Sequence, residues 1–536
     1  MFAQAGGLQS LLKEGSRHFS GLEEAIFKNI DACKQLSSIT RTSLGPHGLN
    51  KLVVNAHEKI FVTSDAATVM KEMDVVHPAA KLVVMAAKMQ ESEIGDGTNL
   101  VVILAGELLK LAEDLITTGL HPSEIIAGYE KAAARVDGIL SDLVVYTADD
   151  TRDVADIARL VSPVLASKIY GYESTLARCV SEAVAIVTED GAKFDIENVR
   201  TAKLQGGSLA QSEVLRGLVV TRSPEGQVHH VSNAKVAVYN CPLDPQHSDT
   251  KGTVLISNAA ELVEYNLGEE QIAAKLVKEL VDANITAVIC GGSVADMVLH
   301  HLNLNGILVL KISSKFELRR VARILGASSI VRLGAPTAEE TGYADEISLE
   351  EISSHNVTLI KKEGDSSCRV ATIVLRANTN NMLDDADRAI DDALNVYRTI
   401  RREKRFVVGG GGSEALLAKR LREYGLTEPG LDQHAILKYA QAFEIIPRTL
   451  AENAGLNQHD ILSKLFAENS PTHSFDIEDG LIKDLSATLL DSLETKRWAI
   501  RLATDAALTV LRVDQIVMAK PSGGPKPESA PRPEED

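Results

Sequence analysis

Residues 92–116, SEIGDGTNLVVILAGELLKLAEDLI, decide how this chain is read. Gly95, Asp96, Gly97 and Thr98 stand directly before an apolar helical pattern running Leu100, Ile103, Leu104, Leu108, Leu111 and Leu115. Two glycines around a carboxylate cost backbone entropy and add nothing to a core. At a helix N-terminus, however, the backbone amides are unpaired and the peptide dipoles favour an anion. Glycines let a phosphate approach the backbone, and Thr98 adds a hydroxyl donor. Asp96 would repel that phosphate unless a cation lay between them, and Mg²⁺ is commonly held by one or two carboxylates plus phosphates. The plainer alternative is a helix capped by Asp or Thr after a tight turn.

Outward from this stretch, Leu22, Ala25, Ile26, Ile30, Cys33 and Leu36 mark one face of a helix, ended by TSLGPHG at 42–48. KLVVN and KIFVTS read as a hairpin, and Ser64 or Asp65 is placed to cap the helix that follows. Residues 79–147, 376–403 and 412–518 are strongly helical. From about 215 to 370, short apolar runs alternate with helical patterns, an α/β module inserted into a helical chain. Within it CGGSVADM, 290–297, reads as an ordinary βα turn. RFVVGGGGSEALLAKRL carries four glycines at 409–412 between a strand and a helix. It matches neither GxGxxG nor GxxxxGK[ST], and a flexible connector is its plainer reading. Asp384, Asp385, Asp387, Asp391 and Asp392 form an acidic run. Acids in the first turns of a helix complement its dipole and face solvent; one of these could also orient a water for phosphoryl transfer. The spacing does not choose which.

The 536 residues exceed one small core, so several domains are expected. Aromatic residues make up only 4%, which leaves the cores to Leu, Ile, Val and Ala. A formal charge of −18 argues against general nucleic-acid or anionic-membrane binding. The five cysteines show no CxxC spacing, which fits free thiols in a reducing compartment. The His pairs at 229–230 and 300–301 are adjacent, so their rings are expected to point apart and not to bind metal. Lys13 and Glu14 interrupt the first apolar stretch, unlike a signal peptide. No apolar run approaches the ~20 residues of a membrane helix. The Pro-rich, acidic end KPSGGPKPESAPRPEED reads as a disordered tail.

TSLGPHGLNK, TSDAAT, GDGTN, IDDAL, GGG at 409–411, RTLAENAGLN and RVDQIVMAK occur in that order. Together they resemble the group II chaperonins from about residue 8 to 525. The variants GDGTN and DAAT and the tail opening MAKPSGGPKP resemble one subunit type of the eukaryotic cytosolic chaperonin.

The resemblance implies an α+β multidomain chaperonin fold. A mainly α-helical equatorial domain would take 1–147 and 404–536, with the tail from about 521. A small α/β intermediate hinge would take 148–213 and 371–403. An α/β apical domain would take 214–370, with a helical lid protrusion near 245–276. It implies ATP hydrolysis with Mg²⁺, ADP as product, and a hexadecameric double ring of paralogous subunits in the cytoplasm. Its clients would be non-native polypeptides of the actin and tubulin class.

By the same resemblance Leu44 and Gly45 line the phosphate and base side of an ATP pocket. Asp96 ligates Mg²⁺, and Gly97, Thr98, Asn99 and Leu100 serve the phosphates. Asp65 faces the γ-phosphate and attacking water, and Asp392 polarises that water. Ser167 and Lys168 sense the γ-phosphate, Gly410 and Gly411 let the backbone pass close to the nucleotide, and Asp491 meets the ribose. Asn99, Ala66 and Val408 depart from the family's Thr, Gly and Pro. A nucleotide-binding structural ring subunit with little hydrolysis is the alternative, and a homo-oligomeric archaeal-type ring a further one. A kinase or GTPase is disfavoured by the missing P-loop lysine.

Overall fold

A computed structural model of the chain describes residues 17–20, 22–55, 57–148, 151–188, 194–244, 258–352, 355–362 and 370–518. The Pro-rich tail, Cys368 and residues 245–257 of the lid candidate lie outside the described residues.

The chain forms two compact units, one of Met1–Tyr146 with Arg405–Asp536, the other of Thr147–Lys404. In the first, helix Thr98–Thr117 is the central element. Val101, Val102, Ile103, Leu104 and Ala105 are all inaccessible to solvent, as the apolar run in its first half requires. Each Leu or Ile so buried contributes about 1.5–3 kcal/mol. Helices Leu22–Arg41, Pro78–Glu93, Asp432–Ala442, Ile445–Asn453 and Leu493–Leu511 pack around it. Gly106 lets the first of these come close, since a Cβ there would lie 2.3 Å from Ser37 Cβ. Strand Arg17–Ser20 pairs antiparallel with Gln515–Met518, so both ends of the described chain meet in one small sheet. The hairpin Lys51–Val54 with Ile60–Thr63 forms as expected.

The second unit contains two sheets. In one, Ala371–Ala377 runs between Val199–Gln205, parallel, and Glu213–Arg216, antiparallel. Helices Val154–Ala166, Glu173–Thr188 and Asn380–Ile400 share an apolar core with it. The other sheet, seven-stranded among the described residues, has His230–Tyr239, Ala287–Cys290 and Leu308–Lys311 parallel at one side, the last at its edge. Helix Lys315–Leu325 starts on the Ser314 cap and stops at Gly326, where φ is +72°. The CGGSVADM segment is a βα turn between Ala287–Cys290 and helix Asp296–Leu304. The described part of the lid candidate enters helix Ala259–Asp282.

Two expectations are corrected here. The acidic run does not sit in the first turn of its helix, which begins at Asn380. Four of its acids are held by cations instead: Asp384 and Asp387 by Lys203, Asp385 by Arg388, and Asp392 by Lys168. The rings of His300 and His301 do not point apart but meet edge to face, 5.8 Å between centroids. Consecutive helical residues are only ~100° apart, so long side chains can lean together. Among the described residues no cluster of three or more His, Cys, Asp or Glu is arranged for a metal.

Candidate functional site

Helix Thr98–Thr117 begins at Gly97, whose φ of 83° and ψ of 14° are left-handed, with no side-chain cap. Gly95 precedes it at φ 94°. A Cβ on Gly97 would lie 3.1 Å from both Gln90 Nε2 and Thr495 Cγ2, so conformation and space both demand glycine. Gln90 holds this turn: its Nε2 donates to Asp96 O at 2.8 Å and Thr495 O at 3.3 Å.

Three further loops converge on this helix mouth. Asp65 caps helix Ala66–Glu72, accepting from Thr68 N at 2.9 Å and Thr68 Oγ1 at 2.8 Å through Oδ2. Its other oxygen accepts from Thr98 Oγ1 at 3.3 Å, which joins the DAAT and GDGTN segments. Asn99 Nδ2 reaches Ser43 O at 3.5 Å and Ser64 O at 3.4 Å, long bonds that bring in TSLGPHG. There Leu44 O accepts from Asn453 Nδ2 at 2.8 Å. Leu44 and Leu100 both pack on the cluster containing Ile446 and Leu450. Gly45, at φ +82°, lies so close that a Cβ would be 2.6 Å from Leu450 Cδ2.

The same helix, Ile445–Asn453, touches the four-glycine turn. A Cβ on Gly411 would meet Pro447 Cβ at 2.8 Å, and one on Gly410 would meet Ser474 Oγ at 2.8 Å. Ser474 Oγ donates to Gly409 O at 2.5 Å and accepts from Gly412 N at 3.1 Å. Asp491 is set by strand pairing opposite Val407 and faces Gly409, where a Cβ would lie 3.0 Å from its Oδ2. Lys496, one turn into helix Leu493–Leu511, binds Asp491 Oδ2 at 3.0 Å and Glu414 Oε1 at 2.8 Å. Burial opposes the Lys496 charge, but Asp491 and Glu414 more than offset this and raise its pKa.

Leu44, Gly45, Asp65, Asp96, Gly97, Thr98, Asn99, Leu100, Gly410, Gly411 and Asp491 thus belong to the first unit. Ser167, Lys168 and Asp392 belong to the second. Ser167 ends helix Val154–Ala166, with its Oγ donating to Val164 O at 2.7 Å. Lys168 Nζ lies 3.1 Å from Asp392 Oδ2, both side chains largely buried.

The residues present fit a magnesium nucleotide. The helix mouth has no side-chain cap, and the Asp96 backbone is held beside it. Buried oxygens of Gln90, Asn99 and Thr495 on or beside the same loop have no hydrogen-bond partner. Such groups are costly to bury unless something satisfies them.

A family model described as the TCP-1/cpn60 chaperonin family matches residues 36–521. The chain belongs to the TCP-1/cpn60 chaperonin family. It is 47% identical over 532 residues to T-complex protein 1 subunit theta of Gallus gallus, covering 98% of this chain and 97% of that one. The Homo sapiens protein of the same name gives the same identity and coverage. That of Arabidopsis thaliana is 47% identical over 539 residues, 99% of this chain and 98% of its own. The multidomain α+β architecture is that of a chaperonin.

Three polar residues of this chaperonin site escape a reading based on glycine motifs: Gln90, Glu414 and Lys496. A signal for them is present. Val83, Ala87 and Gln90 share one helical face, as do Leu493, Lys496, Ile500 and Ala503, and Glu414, Leu417 and Leu421. A polar residue at an apolar-face position is buried, and once buried it needs partners.

Proposed function

We propose that this chaperonin chain binds and hydrolyses Mg-ATP as one subunit of a hetero-oligomeric double ring of paralogues in the cytosol. The observation that carries this is the meeting of Asp65, Thr98 and Asn99 at an uncapped helix mouth. Amides of Gly97, Thr98, Asn99 and Leu100, with the Thr98 hydroxyl, receive phosphate oxygens. Asp96 would hold Mg²⁺, which supplies the positive charge that lets phosphates lie near carboxylates. Leu44 and Gly45 line the base side, Gly410 and Gly411 keep the backbone open, and Asp491 accepts from ribose hydroxyls. Asp65 orients the attacking water.

Asp392 polarises that water and Ser167 and Lys168 sense the γ-phosphate, roles supported by the family resemblance and by the Lys168–Asp392 pair. Because these belong to another unit, hydrolysis requires a closure that ATP drives by binding the closed form more tightly. Closure in turn acts on a non-native polypeptide of the actin and tubulin class held by the 214–370 module. The T-complex subunit names of the relatives support assembly with paralogues.

Asp392→Ala in the assembled ring is expected to leave ATP binding intact and lower this subunit's turnover. Unchanged turnover would favour the structural-subunit reading. Asp96→Ala is expected to weaken Mg-ATP binding, and an unaffected affinity removes Asp96 from the site. Native mass spectrometry is expected to find the chain near megadalton size only with paralogues.

A further inference from the structure

We propose that Lys496 is a positioning residue that aims Asp491 at the ribose. Glu414 serves as its buried counter-charge. This rests on the reading of Asp491 as the group that meets the ribose.

The argument starts from charge. Lys496 and Glu414 are buried, with side chains 5% and 6% exposed, whereas the Asp491 side chain is 36% exposed. Replacing a buried ion pair by apolar residues of similar volume is often neutral or stabilising, so a need for packing does not explain this one. The Lys–Glu pair is neutral by itself, and Asp491 adds a further negative charge. The excess charge of the triad therefore sits at its solvent-open end, against the four-glycine turn. A carboxylate in that position accepts hydrogen bonds from hydroxyls and repels phosphate. The uncapped N-terminus of helix Thr98–Thr117 has the opposite preference. The triad thus gives the site a direction, with polyol at Asp491 and phosphate at Thr98.

Hydrogen-bond counting shows that the ammonium protons are shared among more acceptors than there are protons. An ammonium has three protons. Around Lys496 Nζ stand four acceptors: Val408 O at 3.2 Å, Ser413 Oγ at 2.5 Å, Glu414 Oε1 and Asp491 Oδ2. Ser413 Oγ also donates to Glu414 Oε2 at 2.9 Å, which engages the second oxygen of that carboxylate. Ammonium, hydroxyl and buried carboxylate form a closed set, fixed to the end of strand Arg405–Val408 through Val408 O. One oxygen of Asp491 is tied to this set, while its backbone is tied to the same strand through Val407. With Lys496 gone, the Asp491 side chain keeps its place in sequence but loses the contact that fixes its rotamer.

The test uses the assembled complex, with this chain photolabelled by 8-azido-ATP in competition with ATP or 2′,3′-dideoxy-ATP. Lys496→Met leaves Glu414 buried and unpaired and risks misfolding. The informative variant is therefore Lys496→Met with Glu414→Gln, which removes both buried charges, and Lys496→Arg serves as the charge-retaining control. The double variant is expected to lose its preference for ATP by roughly tenfold, the worth of a hydrogen bond to a charged group. Its affinity for dideoxy-ATP stays the same, and the defect appears in KM and not in kcat. Asp491→Asn is expected to lose the same preference. Lys496→Arg is expected to keep it at least in part. If Asp491→Asn keeps the preference, the ribose reading of Asp491 falls. If Asp491→Asn loses it and the double variant keeps it, Lys496 has no positioning role. Equal losses for ATP and dideoxy-ATP in the double variant would make the triad merely structural and overturn the proposal.

Discussion

The helices beginning at Thr98 and Gly412 start almost identically. Gly97 has φ 83° and ψ 14°, Gly411 has φ 85° and ψ −2°, and both are caps without a side chain. Their surroundings differ. At the second, Ser474 Oγ accepts from Gly412 N and donates to Gly409 O, while the Pro447 backbone and ring crowd Gly411. The protein fills that mouth itself. At the first, the neighbours of Gly97 are a side-chain amide and a methyl, and unpartnered buried oxygens lie close by. The same local geometry is therefore closed by a side chain of the protein in one place and left without a side-chain cap in the other. What decides is whether the chain supplies its own acceptor.

The largest expected effect falls between the two mouths. Lys496→Met leaves Glu414 as an uncompensated buried charge and is expected to cost about 3–5 kcal/mol, read from the unfolding midpoint. Since the native pKa of Lys496 is raised, its contribution is complete below its ordinary pKa of 10.5 and is lost as pH climbs through the native value. Wild-type stability is thus expected to show no titration of this group between about pH 6 and 9. An alkaline loss starting within that range would contradict the assignment.

Gly411→Ala follows, at about 2–3 kcal/mol, from left-handed strain and overpacking against Pro447. Gly97→Ala is expected to cost less stability, because its neighbours are a side-chain amide and a methyl, but to lose more Mg-ATP affinity. Equal ratios of affinity loss to stability loss in the two variants would erase the distinction between the mouths. Ser474→Ala should cost about 1 kcal/mol, since Gly412 N and Gly409 O keep only the long bond between them, 3.5 Å, with nucleotide affinity unchanged. The smallest change is Asn99→Ala, below about 1 kcal/mol, since its bonds to Ser43 O and Ser64 O are long.

The pattern of Leu100 to Leu115 made the central helix legible, and the glycines around Asp96 made its mouth legible. Asp65 was readable as a cap, but its bond to Thr98 was not, because a cap signal is local and says nothing of a second partner. The acidic run was misplaced for a related reason. Composition suggests dipole-complementing first turns, whereas two of the cations that fix these acids, Lys203 and Lys168, lie about 180 to 220 residues earlier in the chain. Lys496 was written into an apolar face and could have been found by asking which polar residues break helical periodicity. Glu414 could be found in the same way, but its pairing with Lys496 and Asp491 could not, since the three lie on two helices and a strand.

The first unit is assembled from two stretches separated by the whole of Thr147–Lys404. During synthesis at roughly 5–20 residues per second, helix Thr98–Thr117 is made tens of seconds before Leu493–Leu511, one of the helices that cover it. Throughout that interval a helix whose first half is apolar on every side waits on the nascent chain without its partner, while the intervening unit has all of its own sequence and is free to fold. The unit built from the two ends of this chaperonin chain is therefore the last part to acquire a native core. It is itself a client-like segment while the ribosome is still at work.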